Sequence, residues 1–196
     1  QDVVIYECHV RGMTVHPSSG VAAGKRGKYA GFMGSLGKGT GLDHLKALGV
    51  NAVELLPVSE FSESTDPYNW GYATVYFFAP ESSYALAPEK GSAYYELKQL
   101  VDDLHGQGFA VILDMVYNHI GGPNIFALID KKAYFRLNPD LSFSNHSACG
   151  NDVRTEAPMM RKLILDNIAY FMEEFHVDGF RLDLAELIDM ETMLAI

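Results

Sequence analysis

The chain has 196 residues, 48% hydrophobic and 20% charged, the balance of a globular chain and not of a disordered one. Fifteen Lys and Arg against 25 Asp and Glu leave a formal charge of −10, which argues against a phosphate-neutralising nucleic-acid binder. No apolar run approaches the roughly 18–20 residues of a membrane span, and Cys8 and Cys149 offer neither a disulfide framework nor metal-ligand spacing.

The chain opens on Val3, Val4 and Ile5, a strand start with no initiator Met or leader before it. It closes on Leu187–Ile196, which reads as an unfinished helix or loop, so a piece of a longer protein is expected. The missing signal and unpaired cysteines point to the cytoplasm. Four β-rich apolar runs follow one another at 3–10, 52–58, 110–117 and 179–185. Continuous runs of this kind suit parallel strands covered by helices.

Helical patterns lie between them. Leu42, Leu45 and Leu48 predict a short helix closed by Gly49. Leu97, Leu100, Val101 and Leu104 predict another, ended at Gly106 or Gly108. Met160, Ile164, Ile168, Phe171 and Phe175 form a third stripe, with Pro158 in its first turn. Strand and helix alternate, which is the α/β class. The strand starts are about 50 to 70 residues apart, against roughly 30 for a compact βα unit, so long loops must follow the strands. Eight strands at that spacing need far more than 196 residues. The prediction is about four βα units: the N-terminal half of a TIM (β/α)8 barrel with long βα loops.

Two connections stand out. Residues 12–41 carry eight glycines between Gly20 and Gly41 and read as a mobile loop. Gly37-Lys38-Gly39-Thr40 invites a phosphate-loop reading, but position 32 is Phe where the first glycine is required, and no strand precedes it. Residues 120–157, with Gly121, Gly122, Pro123 and Pro139, read as a long excursion after the third strand.

Three polar clusters fall at strand ends. Asp114, inside an apolar strand, needs a partner for its charge, and Asn118 and His119 follow where that strand emerges. Arg181 and Asp183, two apart, share one face, and the cation keeps the carboxylate ionised as a nucleophile requires. Tyr68-Asn69-Trp70-Gly71-Tyr72 supplies flat rings of the kind that stack on sugar faces. Singly, an ion pair, a core histidine and an aromatic cluster all have structural explanations. After three strands of one sheet, they outline an active-site face.

These residues resemble the α-amylase family of glycoside hydrolases, and within it the debranching branch of isoamylases, glycogen debranching enzymes and pullulanases. Ile5–Thr14 is similar to the first barrel strand of that branch, Val53–Val58 with Tyr68–Tyr72 to its second, and Asp114–His119 and Gly179–Ala185 to the family's first two short motifs. Cys149–Asp152 and Pro158–Arg161 resemble the approach to the fourth strand. The resemblance implies retaining hydrolysis of α-glucans such as glycogen or starch, at 1,6-branches. It implies Asp183 as nucleophile, Arg181 as the residue that orients it, Asp114 as a structural aspartate beneath the sugar site, and His119, Tyr72 and Trp70 as sugar-binding groups. Asn118 matches a calcium ligand of the amylases, yet Glu186-Leu187 stands where many amylases carry Lys-His, so no metal or cofactor is expected.

Retaining chemistry needs a second carboxylic acid about 5–5.5 Å from the nucleophile. In the family that Glu follows the fifth strand, beyond this chain. Glu186, three residues after Asp183, is expected to face solvent instead. The chain alone is therefore expected to be inactive, to expose inward-facing residues such as Leu113 and Leu184, and to self-associate through its open edges. A silent α-glucan-binding module and a branching or trehalose-releasing relative remain as alternatives.

Overall fold

The computed structural model describes residues 2–62 and 68–196. Four parallel strands form the main sheet: β1 (Ile5–Cys8), β2 (Ala52–Leu55), and, after a two-stranded interlude, β5 (Ala110–Met115) and β6 (Gly179–Leu182), in the order β1-β2-β5-β6. The interlude is an antiparallel pair, β3 (Ser59–Phe61) and β4 (Thr74–Pro80). The helices are α1 (Val10–Thr14), α2 (Tyr29–Met33), α3 (Leu42–Ala47), α4 (Ser92–Gly106), α5 (Ile125–Tyr134), α6 (Pro158–Phe175) and α7 (Met190–Ala195).

Each main strand is shorter than its apolar run, and for β1, β2 and β6 the reason is local. His9 leaves the sheet to cap α1 with its ring. Pro57 brings no N–H to a ladder after β2. The chain after Asp183 turns away at Leu184, whose φ of 43° is left-handed. At the other end, Val3 and Val4 precede the ladder, and the Asn51 side chain accepts from the Val4 N–H at 2.7 Å.

Register decides which side chains face where. Glu7 pairs with Glu54, Glu54 with Ile112, and Asp114 with Arg181, so these residues share one face with Ile5 and Ala110. Cys8, Val53, Leu55, Val111, Leu113 and Met115 lie on the other face, buried in one core with Leu97, Leu104, Ile164 and Phe171 of α4 and α6. Leu113 is therefore on the helix side and fully buried, not inward-facing as expected. The strand period of two allows nothing else once Asp114 faces Arg181. Leu184 is past the strand end, in a turn.

The helices over α4 and α6 follow their stripes, and Pro158 sits in the first turn of α6. In α3, Leu42 and Leu45 are buried, but Leu48 is the C-cap residue and more than half exposed. The glycine-rich stretch is packed, contrary to the expectation of a loose loop. Tyr29 and Phe32 of α2 are buried in the core, and Thr14 Oγ1 accepts from the Gly27 N–H at 2.9 Å. Gly31 makes this fit, because a Cβ there would run into the Lys25 carbonyl and the Thr14 hydroxyl. The Leu187–Ile196 end holds the short helix α7, capped by the Asp189 side chain.

Candidate active site

The C-terminal ends of the parallel strands open onto a cavity of about 1220 Å3, where α/β enzymes place their chemistry. Asp183, Tyr72, Trp70 and His119 all line it, with Tyr68 and Asn69 beside them. Asp114 and Arg181 lie off its wall. Asp114 is buried and supports the groups above it.

That support is explicit. Arg181 Nη1 donates to both Asp114 oxygens, at 3.0 and 3.1 Å, and to Asp183 Oδ1 at 2.8 Å. The Tyr72 hydroxyl donates to Asp114 Oδ2 at 2.6 Å. One buried carboxylate thus fixes the ring that lines the cavity and the cation that faces Asp183. Burial raises the pKa of Asp114, against the lowering effects of Tyr72 and Arg181. Burial opposes the charge on Arg181, but Asp114 and Asp183 outweigh it and hold the guanidinium above its usual range.

Asp183 is gripped from a second side. Asn118 Nδ2 donates to its backbone carbonyl and to Oδ2, both at 3.0 Å. The Asn118 oxygen in turn accepts from His119 Nδ1 at 2.5 Å. Burial lowers the pKa of His119, opposed by the Asp183 charge and the Tyr72 backbone.

A calcium site through Asn118 does not fit this donor set. The Asn118 oxygen is taken by His119, and the nearby Asp183 carboxylate is shared between Arg181 and Asn118. Calcium needs six to eight oxygen ligands. Elsewhere, Glu7, Glu54 and Asp114 bring carboxylate oxygens within 4.8 Å of one another on the face of the sheet opposite α4 and α6. Burial first, then Asp114 and Glu7, raise the pKa of Glu54.

The excursion over 120–157 folds back onto the strand end. The Asn151 side chain accepts from the Ile120 N–H at 3.0 Å and donates to the Ile120 carbonyl at 2.9 Å. The Val153 N–H donates to the Asn118 carbonyl at 2.9 Å. Asp152, fully buried, gathers Ser144, His146 and Ser147. Burial works to raise its pKa, but those donors prevail and depress it strongly. Phe143, Asn124 and Asn151 join the cavity wall by this route.

The chain is 40% identical over 98% of its length to pullulanase of Bacillus subtilis strain 168 and 42% identical over 95% to isoamylase 3, chloroplastic, of Oryza sativa subsp. japonica. It is 43% identical over 97% to the glycogen operon protein GlgX homolog of Mycobacterium bovis. The chain is a homologue of the debranching enzymes of the α-amylase family. No family model matches it. Among solved structures, pullulanase of Paenibacillus barengoltzii in complex with maltohexaose and α-cyclodextrin superposes with a TM-score of 0.91, at 40% identity over 97% of this chain. Pullulanase type I of Bacillus subtilis complexed with maltose gives 0.90. The α/β fold with its parallel sheet matches these structures. The chain spans 26–28% of the lengths of those three relatives and 32% of the Paenibacillus chain.

Phe143 and Asn124 went unnoticed in the sequence, and His9, Asn69 and Asn151 stood inside quoted motifs with no role of their own. His9 had a signal, since it ends a strand three residues before Gly12, the spacing of a helix cap. The others reach the cavity only through long-range folding. Glu186, in the 3-10 turn after Leu184, is exposed and off the cavity wall.

Proposed function

We propose that this chain is the N-terminal half of the (β/α)8 catalytic barrel of a retaining glycoside hydrolase that cleaves α-glucans at 1,6-branches. The observation that carries the reading is Asp183 on the wall of an aromatic-lined cavity, oriented by Arg181 on one oxygen and Asn118 on the other. Tyr72 and Trp70 offer ring faces to the sugar and His119 a hydrogen bond. Asp183 attacks the anomeric carbon as the glycosidic C–O bond breaks, forming a glycosyl ester. The acid that protonates the leaving oxygen comes from a later strand outside this chain, so natural glucans bind here without turnover.

An α-maltosyl fluoride tests this, because fluoride leaves without a general acid. The expected result is a covalent adduct on intact mass, absent in Asp183→Asn, together with no reducing-sugar release from pullulan. Release from pullulan would overturn the missing-acid claim. The second reading, a binding module, is favoured by the aromatic wall. Maltotriose binding with no adduct would support it over the enzyme, and no binding would sink both.

The same reading makes β1 and β6 open edges, each paired on one side only among the described residues. Two copies are then expected to associate edge to edge. Light scattering at micromolar concentration showing a monomer would refute that.

A further inference from the structure

The cavity's aromatic wall is the segment Tyr68–Tyr72, and Trp70 is more than half exposed on it. Two anchors flank Trp70. On its C-terminal side, Tyr72 is tied to Asp114. On its N-terminal side, the Asn69 carbonyl lies 2.9 Å from His9 Nε2.

His9 stands directly after β1 and is 6% exposed. Its Nδ1 accepts the Gly12 N–H at 2.9 Å and so caps α1. An accepting Nδ1 is bare, which puts the proton on Nε2 and makes that nitrogen a donor. Nε2 faces the Asn69 carbonyl and, also at 2.9 Å, the Tyr84 hydroxyl oxygen. Burial, and then Arg11, favour the neutral ring, against the pull of the Asn69 carbonyl. The Tyr68 ring lies 4.9 Å from the imidazole and Tyr84 meets it edge-on at 5.7 Å. Gly12 permits this closeness, since a Cβ there would come within 3.2 Å of the Tyr68 hydroxyl.

We infer that His9 is a positioning residue, whose helix cap fixes the tautomer that anchors Asn69 and thereby sets Trp70 and Tyr72 at the sugar face. The inference rests on reading the cavity as a glucan site. His9 touches no reacting atom. One ring converts the start of α1 into the placement of a wall 60 residues away.

The two ring nitrogens can be removed separately. His9→Asn keeps an acceptor near Nδ1, and Asn is a good helix cap, but it loses the Nε2 donor. His9→Gln carries an amide to the Nε2 position and loses the cap. Trp70 is the sole tryptophan, so its fluorescence reports the wall directly. In the 196-residue chain, His9→Asn is expected to lower Trp70 anisotropy and raise its acrylamide quenching in the absence of sugar. Maltotriose affinity should fall about fivefold, the worth of one ordinary hydrogen bond. His9→Gln should keep both near wild type while lowering the melting temperature. Unchanged Trp70 anisotropy and quenching in His9→Asn, or equal loosening in His9→Gln, would overturn the inference. If wild type fails to bind maltotriose, the glucan reading falls, and the sugar-free Trp70 signals still decide the anchor.

Discussion

Replacing Arg181 by methionine removes the cation from a fully buried carboxylate. The Asp114 side chain is 0% exposed, and of its donors only the Tyr72 hydroxyl would remain among the described residues. Removing one partner of a buried ion pair costs about 3–5 kcal/mol, but the Arg181 side chain is 43% exposed, so solvent screening brings the expectation to about 2–3 kcal/mol. The loss should depend on pH. Asp114 already has a raised pKa from burial, and without Arg181 it rises further. A carboxyl whose folded pKa lies above its unfolded value penalises the fold at high pH, and the penalty fades as pH falls through the folded value. Urea unfolding followed by circular dichroism at pH 7.5 and 5 should therefore show a deficit that shrinks at the lower pH. Adding Asp114→Asn should recover part of it at pH 7.5. A deficit below about 0.5 kcal/mol, the size of an ordinary surface change, or one equal at both pH values, would refute the reasoning.

Tyr72→Phe deletes the hydroxyl bond to Asp114 and should cost about 1.5–3 kcal/mol by urea unfolding, the range for a bond to a charged group. It keeps the ring, so maltotriose affinity should fall less than in Tyr72→Ala. Gly121→Ala should lose roughly 1–3 kcal/mol in thermal melts, because the new Cβ runs into the Ala73 carbonyl and the Ser62 hydroxyl. His119 has a folded pKa below the ordinary 6.5, so the unfolded chain takes the proton first and stability is lost as pH falls below that value. The stability advantage of wild type over His119→Asn should accordingly shrink between pH 7.5 and 5 in urea titrations.

The parallel sheet was legible because its strands, covered on one face by α4 and α6, read as nearly continuous apolar runs. Asp114, Arg181 and Asp183 stood out for the complementary reason: charge in such a run demands a partner. Their two-residue spacing already placed Arg181 beside Asp183, as the 2.8 Å contact shows. The orientation of Leu113 was misread because a run apolar on both faces conceals its phase. Only the Asp114–Arg181 pairing fixes it.

The antiparallel pair of β3 and β4 passed unnoticed because Val75 and Phe77 are buried and Tyr76 and Phe78 exposed, yet all four are apolar or aromatic, so the alternation leaves no mark in the sequence. Glycine misled in the other direction. In residues 12–41 it marks close packing at Gly31 and helix starts and turns at Gly41 and Gly20, not slackness. The His9–Asn69 contact could not be read at all, since its chemistry depends on which ring nitrogen caps a helix elsewhere.

The two thiols end up with opposite fates on the same cavity wall. Cys8 is buried, and desolvation, together with the charges of Glu7 and Glu54, pushes its thiol far above the usual range. Cys149 is exposed at the rim. A thiol-reactive dye therefore has one address on the folded chain and two on the unfolded one. With Trp70 on the same cavity as the donor, a dye at Cys149 turns the wild-type sequence into its own optical gauge of whether the cleft responds to added maltotriose, with no engineered residue needed.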